Sequence, residues 1–268
     1  MAGKICDAHV HVGMFYRLRN PETYDRGDFY YEPKLLAEVL KSCGVSEFIF
    51  SSVSCQRHFS VGEIAREARE TKAAFGADAH PFFWVTGQFY DADPDFKVLD
   101  SGLWDGVKIH ELETPWVKER PKDLERILSL LEERDVPVQF HGGENIGCYP
   151  REIMAYVKRH PKLRVDIAHC RPYRETIECL KECPNLFTDT AFMPVERYPE
   201  LVAAGVEPQV MFGSDLPVQG CFQQWETADV AAALTSFYQH ELAAVRKAGY
   251  SEMVLSGNFD KYIKRRVS

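Results

Sequence analysis

The chain has 268 residues, a length that one hydrophobic core can still fill, and α/β barrels routinely reach about 250 residues as one domain. Hydrophobic residues make up 45% and aromatic residues 12% of it, which excludes a disordered chain. The formal net charge of −8 argues against nucleic acid or an anionic membrane as partner, since both are held mainly by cationic surface.

No basic segment followed by a long apolar one opens the chain, and no apolar run approaches the roughly 20 residues of a membrane span. One soluble, cytoplasmic domain over residues 1–268 is therefore expected. The eight cysteines read as reduced thiols in a chain of this size without a secretion signal. Cys179 and Cys183 are spaced i, i+4, but no second pair stands nearby to complete a structural zinc site.

Taken in order, strand-length apolar runs alternate with stretches of helical period. The first strand is Ile5 to His11, where strict alternation puts Asp7, His9 and His11 on one face and Cys6, Ala8 and Val10 on the other. Residues Met14 to Glu32, polar and aromatic, read as an excursion loop. Pro33 starts a helix that Gly44 stops. Further strands are expected at Phe48–Val53, Phe82–Gly87, Gly106–His110, Val136–His141, Leu163–His169, Leu186–Thr190 and Val210–Asp215. Between them lie helices at Val61–Phe75, a poorly marked one within Pro94–Ser101, then Pro121–Arg134, Pro150–Lys158, Tyr173–Glu182 and Val195–Ala204. Trp225–Lys247 reads as a long last helix. In Pro121–Arg134, Leu124, Ile127, Leu128 and Leu131 share one face.

Eight strand-plus-helix units in about 250 residues is the arithmetic of a (β/α)8 TIM barrel, although a doubly wound open sheet could hold as many. The polar residues decide. His9 and His11 end the first strand, Lys108 and His110 the fourth, His141 the fifth, His169 the sixth, Asp189 the seventh and Asp215 the eighth. A closed barrel brings those ends to one mouth; an open sheet would scatter them. The fold class expected is therefore α/β, a (β/α)8 barrel.

Imidazole and carboxylate suit zinc, iron or manganese, and a catalytic site needs about three protein ligands and an open position. His9, His11, His141 and Asp215 meet that need, with His169 as a further ligand or an acid/base. Taken alone, each histidine reads more simply as a satisfied polar residue at a barrel rim. Four strand ends finishing in His or Asp together point to a metal.

In this order the motifs Asp7-Ala8-His9-Val10-His11, Gly106-Val107-Lys108-Ile109-His110, Val138-Gln139-Phe140-His141, Ile167-Ala168-His169-Cys170, Phe212-Gly213-Ser214-Asp215 and Leu255-Ser256-Gly257-Asn258 span nearly the whole chain. They resemble the metal-dependent hydrolases of the amidohydrolase superfamily, most closely the amidohydrolase-2 branch that also holds relatives of aminocarboxymuconate semialdehyde decarboxylase. The resemblance implies that His9, His11 and His141 bind a divalent transition metal, zinc before manganese or iron. Asp215 either coordinates it or takes the proton of its water, and His169 orients or protonates the substrate. Lys108 is the candidate for the carboxylated lysine of binuclear relatives, with His110 and His169 as other contacts for a second ion or for substrate. One ion is preferred, because the branch is usually mononuclear.

The function implied is hydrolysis, by metal-bound hydroxide, of a small amide, lactone or ester; the alternative is non-oxidative decarboxylation of an aromatic or unsaturated carboxylic acid on the same site. A non-catalytic metal-binding barrel is the third reading. Loop residues Arg17, Arg57, Trp116, Tyr149 and Arg171 stand where they could touch substrate, arginine being suited to a carboxylate by its planar fork. Of these, Arg171 is favoured because it follows His169 by two residues. The expected partner is a small molecule, carboxylate-bearing or not, and a homo-oligomer is compatible with the sequence.

Overall fold

The computed structural model describes residues 3–20, 25–57, 59–143, 145–218 and 229–263, with only the backbone of residues 16–20 and 25–27. Its strands are β1 (Cys6–Asn20), β2 (Asp25–Tyr31), β3 (Glu47–Ser52), β4 (Ala79–Val85), β5 (Gly106–Ile109), β6 (Val138–Phe140), β7 (Val165–Ile167), β8 (Leu186–Asp189) and β9 (Val210–Met211). The α-helices are α1 (Pro33–Ser42), α2 (Val61–Phe75), α3 (Gly87–Ala92), α4 (Trp116–Glu119), α5 (Pro121–Glu133), α6 (Pro150–Val157), α7 (Tyr173–Glu182), α8 (Tyr198–Ala203), α9 (Val230–Lys247) and α10 (Asn258–Ile263).

Local sequence explains most of these. Proline opens α1, α5 and α6 at the first turn, where a missing N–H costs nothing. Ser60 and Glu63 cap α2 reciprocally. Leu124, Ile127, Leu128 and Leu131 of α5 are all fully buried, as their spacing requires.

β1 and β3 to β9 run parallel in sequence order. The sheet then closes on itself. The Ala8 amide donates to the Phe212 carbonyl at 2.8 Å, the His11 amide to Leu216 at 2.7 Å and the Asp215 amide to His9 at 2.8 Å, and Val10 pairs with Leu216. Closure makes this the expected eight-stranded barrel, with β2 as an additional antiparallel strand against β1.

That ninth strand is a correction. Met14 to Glu32 is a β-hairpin for most of its length, Gly13 to Asn20 pairing with Asp25 to Tyr31. Its aromatic and charged residues lack the alternation of a half-buried sheet because, among the described residues, β2 has a partner on one side only. Other elements differ too. The helix after β4 is α3, Gly87–Ala92, capped by the Thr86 hydroxyl, while Lys97–Ser101 is a 3-10 turn. The long helix is described from Val230; Trp225 to Ala228 lie outside the described residues. The chain also continues into α10, whose Phe259, Tyr262 and Ile263 cluster with Cys6, Ala8, Ile49, Phe82, Phe187 and Met211. α10 thus plugs the barrel floor. Gly106 gives room there, since a Cβ on it would lie 2.4 Å from the Phe82 ring.

Alternation also fails in β1. The pairing with β3 shifts register between Asp7 and Val10, so Asp7 does not share the face of His9 and His11. Its carboxylate is turned to the closing seam and to α9. Oδ1 accepts from the amides of His9 and Ser214, both at 3.0 Å, and Oδ2 from the Ser214 hydroxyl at 2.6 Å and the Tyr238 hydroxyl at 2.9 Å. The bulge turns His9 toward the mouth while Ala8 stays in the floor cluster.

Candidate active site

The mouth at the C-terminal strand ends holds a cavity of about 350 Å³, lined among others by His9, His11, Trp84, Lys108, His110, His141, His169, Arg171, Phe192 and Asp215. Barrels of this kind carry their sites at this face. His9 Nε2 lies 3.1 Å from His11 Nε2. Asp215 Oδ1 stands 3.1 Å from His11 Nε2 and 3.6 Å from His9 Nε2.

These spacings fit a metal. Ligand atoms about 2.0–2.1 Å from a tetrahedral ion stand roughly 3.3 Å apart, and the three distances bracket that value. Among the described residues Asp215 Oδ1 is moreover buried with no well-formed hydrogen bond, His11 Nε2 at 3.1 Å being its near neighbour, an arrangement that costs free energy unless a cation or water satisfies it. The second His/Asp group, His9 with His169 and Asp189, is of another kind. Its His9 Nδ1 to Asp189 Oδ2 distance of 2.8 Å is that of a hydrogen bond, and it leaves no room for an ion between them.

Under the histidines lies a layer of polar side chains on adjacent strands. Lys108 Nζ donates to Gln139 Oε1 at 2.9 Å and to His9 Nε2 at 3.2 Å. Gln139 Nε2 donates to Asp166 Oδ2 at 2.7 Å and to the Ala8 carbonyl at 3.0 Å. Burial lowers the Lys108 pKa although Asp189, Asp215 and Asp166 draw it upward. Burial, reinforced by Asp189, pushes Asp166 well above the usual carboxylate range. Asp189 moves the other way, lowered because His9, the His169 amide and Lys108 together outweigh its burial.

Burial also sets the histidines. It lowers His11 despite Asp215 and holds His110, His141 and His169 well below the ordinary imidazole value, Lys108 adding to the effect in all three. Neutral rings are what coordination requires. His11 Nδ1 faces the Ser51 hydroxyl at 3.0 Å, which leaves Nε2 to the cavity.

The remaining residues singled out by sequence divide. His141 is in the cavity, its Nδ1 3.1 Å from His169 Nε2, but among the described residues it belongs to neither close His/Asp group. His110 stacks between Trp84 at 5.2 Å and His141 at 4.0 Å, and its Nδ1 receives the Leu112 amide at 3.2 Å, so it serves as wall. Arg171 lines the cavity, with Nε donating to the Gly142 carbonyl at 3.3 Å and the guanidinium 5.5 Å from the Phe192 ring centre.

Three loop residues fall away from the cavity. Trp116 is fully buried, edge-on to Tyr90 and under Arg120, because α4 turns it into the core. Tyr149 precedes α6 and does not line the cavity. Arg57 pairs with Asp28 of the hairpin at 3.0 Å, and its neighbour Gln56 takes the lining position. Arg17 lies on β1 with its side chain outside the described residues. Sequence reasoning missed Trp84, Gln56 and Phe15 as lining residues. It also missed the tie between Asp189 and His9, although the place of Asp189 at a strand exit was a usable signal.

A closed barrel with three such side chains converging at its C-terminal mouth defines an α/β-barrel protein with a candidate metal centre. The chain belongs to the amidohydrolase family, whose Amidohydro_2 model matches residues 6–250. Among solved structures it is similar to amidohydrolase 2 from Bifidobacterium longum subsp. infantis, at 16% identity and TM-score 0.62, with 99% of this chain and 100% of that one covered. It is also similar to a probable 2-pyrone-4,6-dicarboxylic acid hydrolase from Acinetobacter baumannii solved with citric acid bound, at 13% identity and TM-score 0.61, covering 97% and 99%. A third is 4-oxalomesaconate hydratase from Rhodopseudomonas palustris, at 13% identity and TM-score 0.63, covering 97% and 96%. No curated protein matches the chain. Among the described residues, no helix is long and apolar enough to cross a membrane.

Proposed function

We propose that this amidohydrolase hydrolyses a small amide, lactone or ester that carries a carboxylate, using one divalent transition metal, preferably zinc, held by His9, His11 and Asp215 with His141 beside them. The observation that carries this reading is the convergence of His9 Nε2, His11 Nε2 and Asp215 Oδ1 within 3.6 Å of one another, the last with no well-formed hydrogen bond among the described residues. A dication bound there would acidify water and polarise a carbonyl.

The chain's own groups account for the rest. Asp215, whose Oδ1 faces His9 and His11, would either hold the ion or take the proton of its water. His169 lines the cavity with Nε2 toward His141, where a neutral ring would exchange a proton with substrate. Lys108 stands 3.2 Å from His9 Nε2, a cation aimed at the lone pair that would bind the metal, and its lowered pKa eases its neutralisation. Arg171, held over Phe192, presents its guanidinium to a substrate carboxylate.

The test is incubation of metal-loaded protein with lactones, amides, esters and aromatic carboxylates, following acid and carbon dioxide separately. Acid release that chelator removes and added metal restores is the expected result. Carbon dioxide without hydrolysis would move the chain to the decarboxylase reading, and a protein that binds no metal would overturn the reading outright.

A further inference from the structure

Asp189 is fully buried at the end of β8, and it joins His9 of β1 to His169 in the 3-10 turn that follows β7. Its Oδ2 meets His9 Nδ1 at 2.8 Å. Its Oδ1 accepts the amide of His169 at 3.0 Å and the amide of Ala191 at 3.0 Å. His169 adopts φ 73, the left-handed region that a residue with a Cβ enters only when its surroundings hold it there. The carboxylate supplies one of those holds. With its two oxygens engaged this way, Asp189 fixes both a ring and a backbone segment, and the two imidazoles stack 4.9 Å apart.

The packing around this carboxylate is close. A Cβ on Gly213 would lie 3.0 Å from Asp189 Cβ and 3.1 Å from its Cγ, and 3.1 Å from His9 Cβ. Glycine at this position lets the chain leaving β9 pass close against both side chains.

We infer that Asp189 is a positioning residue: it holds the His9 proton on Nδ1, so that Nε2 offers a lone pair toward His11 and Asp215, and it fixes the separation of His9 and His169. An ionised carboxylate only accepts, so the ring atom facing it must donate. The neutral ring then has Nε2 bare, which agrees with the Lys108 ammonium donating to that atom at 3.2 Å. An outer carboxylate of this kind fixes the tautomer of a ligating histidine, and its loss typically weakens metal binding 10- to 100-fold. The further feature here is that the same carboxylate also holds the His169 backbone, so a single substitution disturbs both groups.

The inference rests on the metal site proposed above, and the experiment separates the two. In metal-free wild-type protein with 15N-labelled histidine, His9 should show the Nδ1–H tautomer by its ring nitrogen shifts. In Asp189→Asn the amide can keep its oxygen toward only one side, His9 Nδ1 or the His169 and Ala191 amides. The His9 tautomer should then shift toward Nε2–H or become mixed, and zinc affinity, read by competition with a chromophoric chelator, should fall about 10- to 100-fold. An Nε2–H tautomer in the wild type overturns the inference, and this measurement decides even if the variant does not fold. Equal zinc affinity in a folded Asp189→Asn, with the tautomer unchanged, overturns it too. If the wild type binds no zinc while His9 is Nδ1–H and moves in the variant, the metal reading fails and the positioning role stands.

Discussion

His11 Nε2 and Asp215 Oδ1 face each other at 3.1 Å across the seam at which the barrel closes, and backbone hydrogen bonds set that distance. The Asp215 amide donates to the His9 carbonyl, and the His11 amide to Leu216. Closing the barrel therefore builds the candidate metal centre in the same act. Because the seam is made by main chain, His11→Ala should leave the fold intact while removing a ligand. Metal content measured after dialysis should fall well below one equivalent, and activity should drop by on the order of 10²-fold or more. A variant that keeps a full equivalent of metal would exclude His11 as a ligand.

Asp7 fastens the same seam from behind the site. Its carboxylate is fully buried and accepts four hydrogen bonds, and burial, only partly offset by those bonds, raises its pKa to about 6. Asp7→Asn puts an amide donor against a hydroxyl or an amide and should cost about 2–4 kcal/mol, a drop in melting temperature on the order of 10 °C. Tyr238→Phe removes one donor of the four and should cost about 1 kcal/mol. Thermal unfolding of both variants checks the ranking; equal stabilities would mean that the Ser214 and His9 donors carry none of the clasp.

The fate of Asp7 also marks how far the sequence could be read. Periodicity and proline or glycine punctuation were enough for α2 and α7, whose bounds match, and the order of histidines and aspartates at strand ends sufficed to choose a closed barrel. Parity along β1 was not enough, because a register shift between Asp7 and Val10 is set by the partner strand and leaves no mark in composition. The β1–β2 hairpin reads as a loop in sequence, since an edge strand need not alternate. Trp116 was read as a rim residue because its place after a strand is visible in sequence, while the inward turn of α4 is a tertiary fact. The Asp189 to His9 tie required the β8 to β1 distance across the barrel, which no local pattern encodes.

Arg171 is the described basic side chain at the cavity wall above the histidines. It approaches Phe192, itself at φ 60 and 5.6 Å from the His169 ring, so its position is tied to the site. Arg171→Lys keeps the charge and loses the planar fork. For a carboxylate-bearing substrate KM should rise about 10-fold or more with kcat less affected, the pattern of lost binding common to ground and transition state. A neutral analogue lacking the carboxylate should respond little. An equal loss on both substrates would assign Arg171 to the fold of its loop.

Glu111 gives a prediction that needs no substrate. It is buried after β5, its carboxylate receives the Val117 amide at 3.1 Å, and Gly147 at φ 85 passes so close that a Cβ there would lie 2.5 Å from Glu111 Oε2. Burial first, and Glu152 in addition, push its pKa from 4.5 to about 8 against the pull of the Val117 and Trp116 amides. Between those two values the folded protein keeps a proton that the unfolded chain has lost, so the contribution of Glu111 to stability falls as pH rises from about 4.5 to 8 and is level above that. Glu111→Gln keeps the acceptor and removes the titration. Relative to wild type it should therefore gain stability steadily across that window, the largest gain appearing near pH 8. Urea unfolding of both proteins at pH 5, 6.5 and 8.5 measures the difference. A difference independent of pH would show that Glu111 ionises in the folded protein as freely as in the unfolded one, and that the contact with Gly147 opens to water.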